Sequence, residues 1–333
     1  MMTRSVTATP ILLDVRDLSV HYVAPDQPPA RAVENVSFTL REGEILGVVG
    51  ESGCGKTTLM LSLMRLLPAA GRIVSGQIYF QGRDLLDLDE KGMNDVRWKE
   101  LAMIFQGAMN ALNPVRTIGD QIAEAMIWHG LARDKKALAE RVGELLEMVG
   151  IGANRRNQYP HQFSGGMRQR AMIAMALACL PTIVIADEPT TALDVMIQAQ
   201  ILALLLTLRQ KLGLGVLFIT HDLGVVAEVC DTVLVMYGGV VAEYGDIDTI
   251  FNQPRHPYTQ ELLKAFPDLS AAATGRRLTS IPGYPPRLND LPSGCRFAPR
   301  CPQAFERCQT VQPPVYQVGP SHYASCYLVE TGD

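Results

Sequence analysis

The chain has 333 residues, 47% of them hydrophobic and 19% charged, with a formal net charge of -4. That length predicts one large core with an appendage. The even mixture of acids and bases excludes both the broad basic field of a nucleic-acid binder and the polybasic patch of a membrane-surface protein.

The start, Met1 to Pro10, is polar and lacks the continuous apolar stretch of a secretory signal, so a cytoplasmic location is expected. The longest uncharged run that is also predominantly apolar, Ala171 to Ala186, falls short of the roughly 20 residues of a spanning helix, and Pro181 divides it.

Ile11 to Tyr22 alternates as a strand does, and Pro25, Pro28 and Pro29 then impose a loop. Tyr22 closes that strand, either as an aromatic face for an adenine or as a half-buried strand tyrosine. A second strand, Val33 to Leu40, turns at Glu42-Gly43 into an apolar third, Glu44 to Gly50.

Next come Gly50-Glu51-Ser52-Gly53-Cys54-Gly55-Lys56-Thr57 and an apolar helical stretch from Thr58 to Leu67. This is a complete G-x-x-x-x-G-K-[ST] in the strand-loop-helix setting it requires. The glycines let backbone N-H groups converge with the helix N-terminus on a triphosphate. Lys56 then reaches the outer phosphates, and Thr57 offers a hydroxyl to magnesium. A plain glycine turn needs neither the lysine nor the hydroxyl. Cys54, beside a lysine and a helix N-terminus, is expected to have a lowered pKa and to be reactive.

Gly76 to Gly82 reads as a short strand, and Leu101 to Phe105 as another that ends at Gln106. Between Gly107 and Leu180 the apolar spacing changes to threes and fours, at Ile118 to Trp128 and Lys135 to Val149, which predicts an inserted helical subdomain. Ser164-Gly165-Gly166 opens a helix predicted to run to Leu180, with the serine as N-cap and the glycines baring N-H groups for a second anion site. Thr182 to Ala186 is a buried strand ending in Asp187-Glu188, where a phosphate-loop protein places a magnesium-ordering acid and an acid facing the attacking water. Asp194 starts the helix Val195 to Lys211, and the strand Gly215 to Thr220 ends at His221-Asp222. Two strands flank Gly238-Gly239 as a hairpin, and a helix from Asp248 to Lys264 breaks near Pro254 and Pro257.

Beyond Lys264 the chain is rich in proline and glycine (Pro267, Pro282, Gly283) and too poor in spaced apolar residues for a second large core. Four cysteines, Cys295, Cys301, Cys308 and Cys326, crowd this tail. In a reducing compartment they predict metal before disulfides, as either a tetrahedral zinc site or a [4Fe-4S] cluster.

The phosphate loop, Gln106, Ser164-Gly165-Gly166, Asp187-Glu188, Ala192-Leu193-Asp194 and His221 stand in the order of an ABC transporter ATP-binding subunit, and the chain resembles that family over almost its whole length. Gly50-Glu51-Ser52-Gly53, Ser164-Gly-Gly-Met-Arg-Gln-Arg170, Arg255-His256-Pro257-Tyr258-Thr259 and the terminal cysteines narrow the resemblance to the oligopeptide, dipeptide and nickel importers. Two positions depart from that pattern. Phe163 replaces a leucine, a tolerable volume change, and Gly107-Ala108-Met109 stands where an acid and a proline are usual, near the permease contact.

The resemblance implies an α/β ABC ATPase fold over residues 1–265: a phosphate-loop core, an antiparallel β subdomain and a helical subdomain at about 107–180. Residues 266–333 would form a small cysteine-rich extension. It implies ATP and magnesium held by Tyr22, the loop Gly50 to Thr57, Thr58, Gln106 and Asp187, with Thr57, Gln106 and Asp187 about the metal. Glu188, His221, Gln106 and Lys56 would be catalytic. Ser164, Gly165, Gly166 and Asp194 would complete the site of a partner ATP-binding subunit, homologous but different.

It further implies two transmembrane permease subunits, an extracytoplasmic solute-binding protein acting indirectly, a place on the cytoplasmic face of the membrane, no nucleic acid, and a [4Fe-4S] cluster in the tail with zinc as the alternative. The competing reading is a soluble ABC-type ATPase with an Fe-S regulatory tail and no permease.

Overall fold

In the computed structural model of the protein the described residues are 9–106, 111–131, 134–265 and 281–330. The segment Gly107-Ala108-Met109 and Pro267, both singled out above, lie outside them. In chain order the strands are β1 (Ile11–Tyr22), β2 (Ala30–Arg41), β3 (Ile45–Val49), β4 (Gly71–Phe80), β5 (Arg83–Asp84), β6 (Leu101–Ile104), β7 (Ile183–Asp187), β8 (Gly215–Ile219), β9 (Thr232–Tyr237), β10 (Val240–Asp246), β11 (Tyr316–Gly319) and β12 (His322–Ala324). The helices are α1 (Lys56–Leu63), α2 (Glu90–Val96), α3 (Ile118–Trp128), α4 (Lys135–Met148), α5 (Gly165–Ala176), α6 (Val195–Leu212), α7 (Leu223–Val229), α8 (Ile247–Asn252), α9 (Pro257–Lys264) and α10 (Glu306–Thr310).

The chain divides into two compact units. The first comprises Met1–Asp14, Thr39–Glu44 and Tyr79–Leu217. In it β6 and β7 pair in parallel from Leu101 against Ile183 to Ile104 against Ala186. Every residue of both strands is buried, which is why they read as unbroken apolar runs.

Helices α3 and α4 pack on one another and on α5. Thr117 caps α3 by accepting from Asp120 N-H, and Asp134 caps α4 by accepting from Lys136 and Ala137 N-H, contacts worth about 1 kcal/mol each. Helix α5 ends at Ala176, short of the predicted Leu180. Leu180 takes a left-handed φ of 53°, and Pro181, which has no N-H to donate, cannot continue a helix. Helix α6, capped by Asp194, is by length and composition apolar enough to cross a membrane. It buries Ile201, Leu202, Leu205 and Leu208.

The second unit comprises Val15–Phe38, Ile45–Ile78 and Phe218–Asp333. Strands β2, β1 and β4 are neighbours in one sheet. In the other sheet β3 lies parallel to β9, from Leu46 against Thr232 to Val49 against Val235. Strand β9 turns back antiparallel into β10 through Gly238 and Gly239, whose φ values of 54° and 90° make the tight hairpin. The tail then adds two strands: β12 pairs antiparallel with β10, and β11 with β12. Ala298, Cys308 and Tyr327 form a small core of its own there.

Candidate functional site

The second unit carries the phosphate loop between β3 and α1. Gly50 and Gly55 have φ of 148° and 108°, and a Cβ on them would lie 2.2 Å from Met236 O and 2.1 Å from Ala32 O. No side chain substitutes at either position without moving backbone. Gly55 sits at the N-cap of α1, and no side chain hydrogen-bonds to that cap. The first-turn N-H groups of α1 are therefore left to an anion.

Lys56 is buried, and its ammonium donates to Gly50 O at 2.7 Å and Glu51 O at 3.1 Å, so the lysine lies along the loop. Ser52, Gly53 and Thr57 are exposed. The hydroxyls of Tyr22 and Thr58 are 3.3 Å apart, which ties the end of β1 to the first turn of α1. His221 is exposed just after β8, and the next residue, Asp222, caps α7.

Cys54 does not behave as the sequence predicts. It is 2% exposed, and burial raises its thiol pKa, outweighing the opposing pull of Lys56, whose ammonium is 3.6 Å away. Desolvation of the thiolate here costs more than the neighbouring charge returns.

The first unit carries the acids. Asp187, buried, ends β7, and Glu188 follows with a φ of 44°. That left-handed conformation costs a residue with a Cβ about 1 kcal/mol or more, and such strain gathers at functional sites. Gln106 donates to Glu188 Oε2 at 2.8 Å, and Thr191 Oγ1 donates to the same oxygen at 2.9 Å. The structure thus brings Gln106 and Glu188 together and fixes one oxygen of the carboxylate.

Ser164 caps α5, accepting from Met167 N-H at 3.3 Å. A Cβ on Gly166 would lie 2.6 Å from Ile197 Cγ2, so close packing of α5 against α6 is what demands that glycine; Gly165 has no such crowding. Asp194 is exposed and accepts from Ile197 N-H at 3.0 Å as the cap of α6. Phe163 is buried under the Arg155 guanidinium, 4.8 Å from its ring centroid.

The tail cysteines line one cavity. Cys295, Cys301, Cys308 and Cys326 line a small pocket, partly open to solvent, with His256 and Phe297 beside them. All four are free thiols. Burial raises the pKa of Cys295, Cys301 and Cys326, the last to about 11. Among the described residues no three His, Cys, Asp or Glu side chains are grouped closely enough to hold a single metal ion.

Sequence reasoning missed three side chains that touch the phosphate loop or its hairpin. Tyr258 Oη accepts from Glu51 N-H at 2.9 Å. Arg300 grips the Glu51 carboxylate, and Arg296 grips Glu34 and Gly238 O. The available signal was Glu51 itself, an acid within an anion site, which calls for a neighbouring cation.

Residues 33–191 match the ABC transporter family, and residues 242–308 match the oligopeptide/dipeptide transporter, C-terminal region. The chain is 48% identical over 330 residues to the probable peptide ABC transporter ATP-binding protein y4tR of Sinorhizobium fredii, covering 98% of both chains. It is 46% identical to the dipeptide transport ATP-binding protein DppD of Escherichia coli, covering 95% of this chain and 96% of that one. To the oligopeptide transport ATP-binding protein OppD of Salmonella typhimurium it is also 46% identical, over 98% of both.

Among solved structures, the dimeric post-hydrolysis state of the cassette MJ0796 bound to ADP and Pi aligns with a TM-score of 0.63 at 28% identity, covering 71% of this chain and 98% of that one. The cassette cbiO1 of Clostridium perfringens, part of the transporter complex cbiONQ, aligns at 0.64 with 27% identity, covering 73% and 91%. The fold is therefore that of an ABC ATPase with mixed α/β sheets, and the chain belongs to the ATP-binding, ATP-hydrolysing subunits of the peptide-type ABC importers.

Proposed function

We propose that this ATPase energises uptake of oligopeptides, dipeptides or a similar small solute from the cytoplasmic face of the membrane. It would do so bound to two permease subunits and paired with a second, homologous but different ATP-binding chain, while an extracytoplasmic solute-binding protein delivers cargo. Residues 1–265 are the ATP-binding domain and 266–333 the extension. The names of the relatives support the transport reading, and the dimeric state of MJ0796 supports the pairing.

The observation that carries the catalytic assignment is Glu188, held in strained backbone with one carboxylate oxygen fixed by Gln106 and Thr191. Such a carboxylate is oriented to polarise an attacking water. The glycine loop and Lys56 hold the triphosphate, Tyr22 stacks on adenine, and His221 contacts the γ-phosphate. Thr57, Gln106 and Asp187 hold magnesium, which when bound draws charge off the outer phosphates. Ser164, Gly165, Gly166 and Asp194 serve the partner's nucleotide. Uptake is driven by differential affinity, because the closed pair binds ATP and the open pair tolerates ADP.

In the tail, the four soft thiols of Cys295, Cys301, Cys308 and Cys326, which line one pocket, are read as the ligands of a structural [4Fe-4S] cluster, preferred over zinc, although they are not grouped as a metal site among the described residues of this structure. Affinity purification of the tagged chain from detergent-solubilised membranes tests the transport reading. A multi-span permease should co-purify in stoichiometric amount, and recovery of the ATPase alone would overturn it.

A further inference from the structure

Glu51 poses a physical problem. It is an acid inside a loop that must hold a triphosphate, and a fixed negative charge there opposes the ligand. The tail answers it. Arg300, immediately before Cys301, donates from Nη1 to Glu51 Oε2 at 2.6 Å and from Nη2 to Glu51 Oε1 at 3.0 Å, a two-pronged pair. The arginine side chain is 5% exposed and the glutamate 25%.

The remaining donors of Arg300 are also used. Nε donates to Pro282 O at 2.7 Å, Nη2 to Ile281 O at 3.2 Å and Nη1 to Tyr237 Oη at 3.1 Å. Tyr237 packs on Tyr258, ring centroids 4.5 Å apart, and Tyr258 Oη holds Glu51 N-H. A second arm runs through Arg296, which donates to Gly238 O; the next residue, Gly239, donates its N-H to Cys54 O at 2.9 Å. The segment Cys295 to Cys301 therefore reaches the phosphate loop at Glu51 directly and at Cys54 through the hairpin.

We propose that Arg300 is a positioning residue of the ATP site: it neutralises Glu51 and fixes the loop, so that the cysteine-bearing tail sets nucleotide affinity. The proposal rests on the reading of Gly50 to Thr57 as the phosphate site. It is tested on the purified full chain by equilibrium titration with MgATP.

Arg300→Ala is expected to weaken binding about tenfold, equivalent to about 1.4 kcal/mol. Adding Glu51→Gln to Arg300→Ala should restore most of the affinity, because the uncompensated charge is removed. A merely structural arginine would not be rescued by a second lesion. Should Arg300→Ala fail to fold by circular dichroism, Arg300→Gln carries the same test.

Affinity within about twofold of the unmodified chain in the arginine variant, or no recovery in the double variant, would overturn the proposal. Lys56→Ala separates it from the reading beneath it. That variant should lose MgATP binding outright, and if it bound normally the phosphate-loop assignment itself would fail and the proposal with it.

Discussion

Glu188 and Cys54 show how far a residue's type and its environment can diverge. The Glu188 carboxylate is held by Gln106 and Thr191 at one oxygen, and an amide at that position keeps the shape but loses the basic oxygen. Glu188→Gln is therefore expected to bind ATP normally while hydrolysis falls by orders of magnitude, with the variant accumulating as an ATP-bound dimer on size exclusion. Near-normal phosphate release would remove Glu188 from its role. Cys54 carries the opposite lesson. Its neighbours in sequence predict a reactive thiolate, but it is buried and its pKa is raised. A maleimide is accordingly expected to label Cys54 far more slowly in the folded chain than in urea, as followed by mass spectrometry of the loop peptide. Equal rates would mean that the loop opens readily.

At the scale of the elements, β10, β12 and α9 meet around a buried polar cluster. Glu243 is 0% exposed, accepts from the N-H groups of Arg255 and His256 at 2.6 and 3.0 Å, and pairs with His322 Nε2 at 2.8 Å. His256 Nδ1 accepts from Tyr258 N-H at 3.0 Å. Burial holds the His256 pKa down to about 4, against 6.5 for an ordinary histidine. A lowered folded value means the unfolded chain takes the proton first. The stabilisation is thus full above the unfolded value and is lost as pH falls from 6.5 towards 4, at up to about 1.4 kcal/mol per pH unit. Thermal midpoints measured across that window should fall less steeply in His256→Gln than in the parent chain, and parallel curves would show that His256 is not the group that titrates.

Those elements also mark what the sequence makes legible. Strand β1 and helix α3 begin and end where alternation and three-four spacing predict; α3 buries one regular face, while in β1 Asp17, with a φ of 47°, shifts the alternation from Leu13 and Val15 to Leu18 and Val20. The loop between β3 and α1 and the strand ending at Asp187 were legible because each is written in contiguous residues. The pairing of β12 with β10 was not, since three residues carry no period and the strand exists only on the edge that β10 offers. Arg300 was equally hidden, lying 249 positions from Glu51.

Across the whole molecule, the tail is the part whose stability its own sequence explains least. Its small core of Ala298, Cys308 and Tyr327 buries little, and a core of that size rarely holds a fold without a staple. On the reading proposed above, the four thiols that line one pocket would supply it. Burial disfavours the thiolates of Cys295, Cys301 and Cys326, whereas a bound metal group would deprotonate them and convert that cost into folding energy. Anaerobically purified protein is therefore expected to be brown, with iron and sulfide in equal amounts. Cys301→Ser should lose the colour and loosen the tail to proteolysis. ATP should still bind, but with affinity lowered towards that of Arg300→Ala, because Arg300 is held by the segment that has come loose. Colourless protein carrying one zinc per chain would replace iron with zinc, and metal-free protein with free thiols and a protease-resistant tail would show that packing alone suffices.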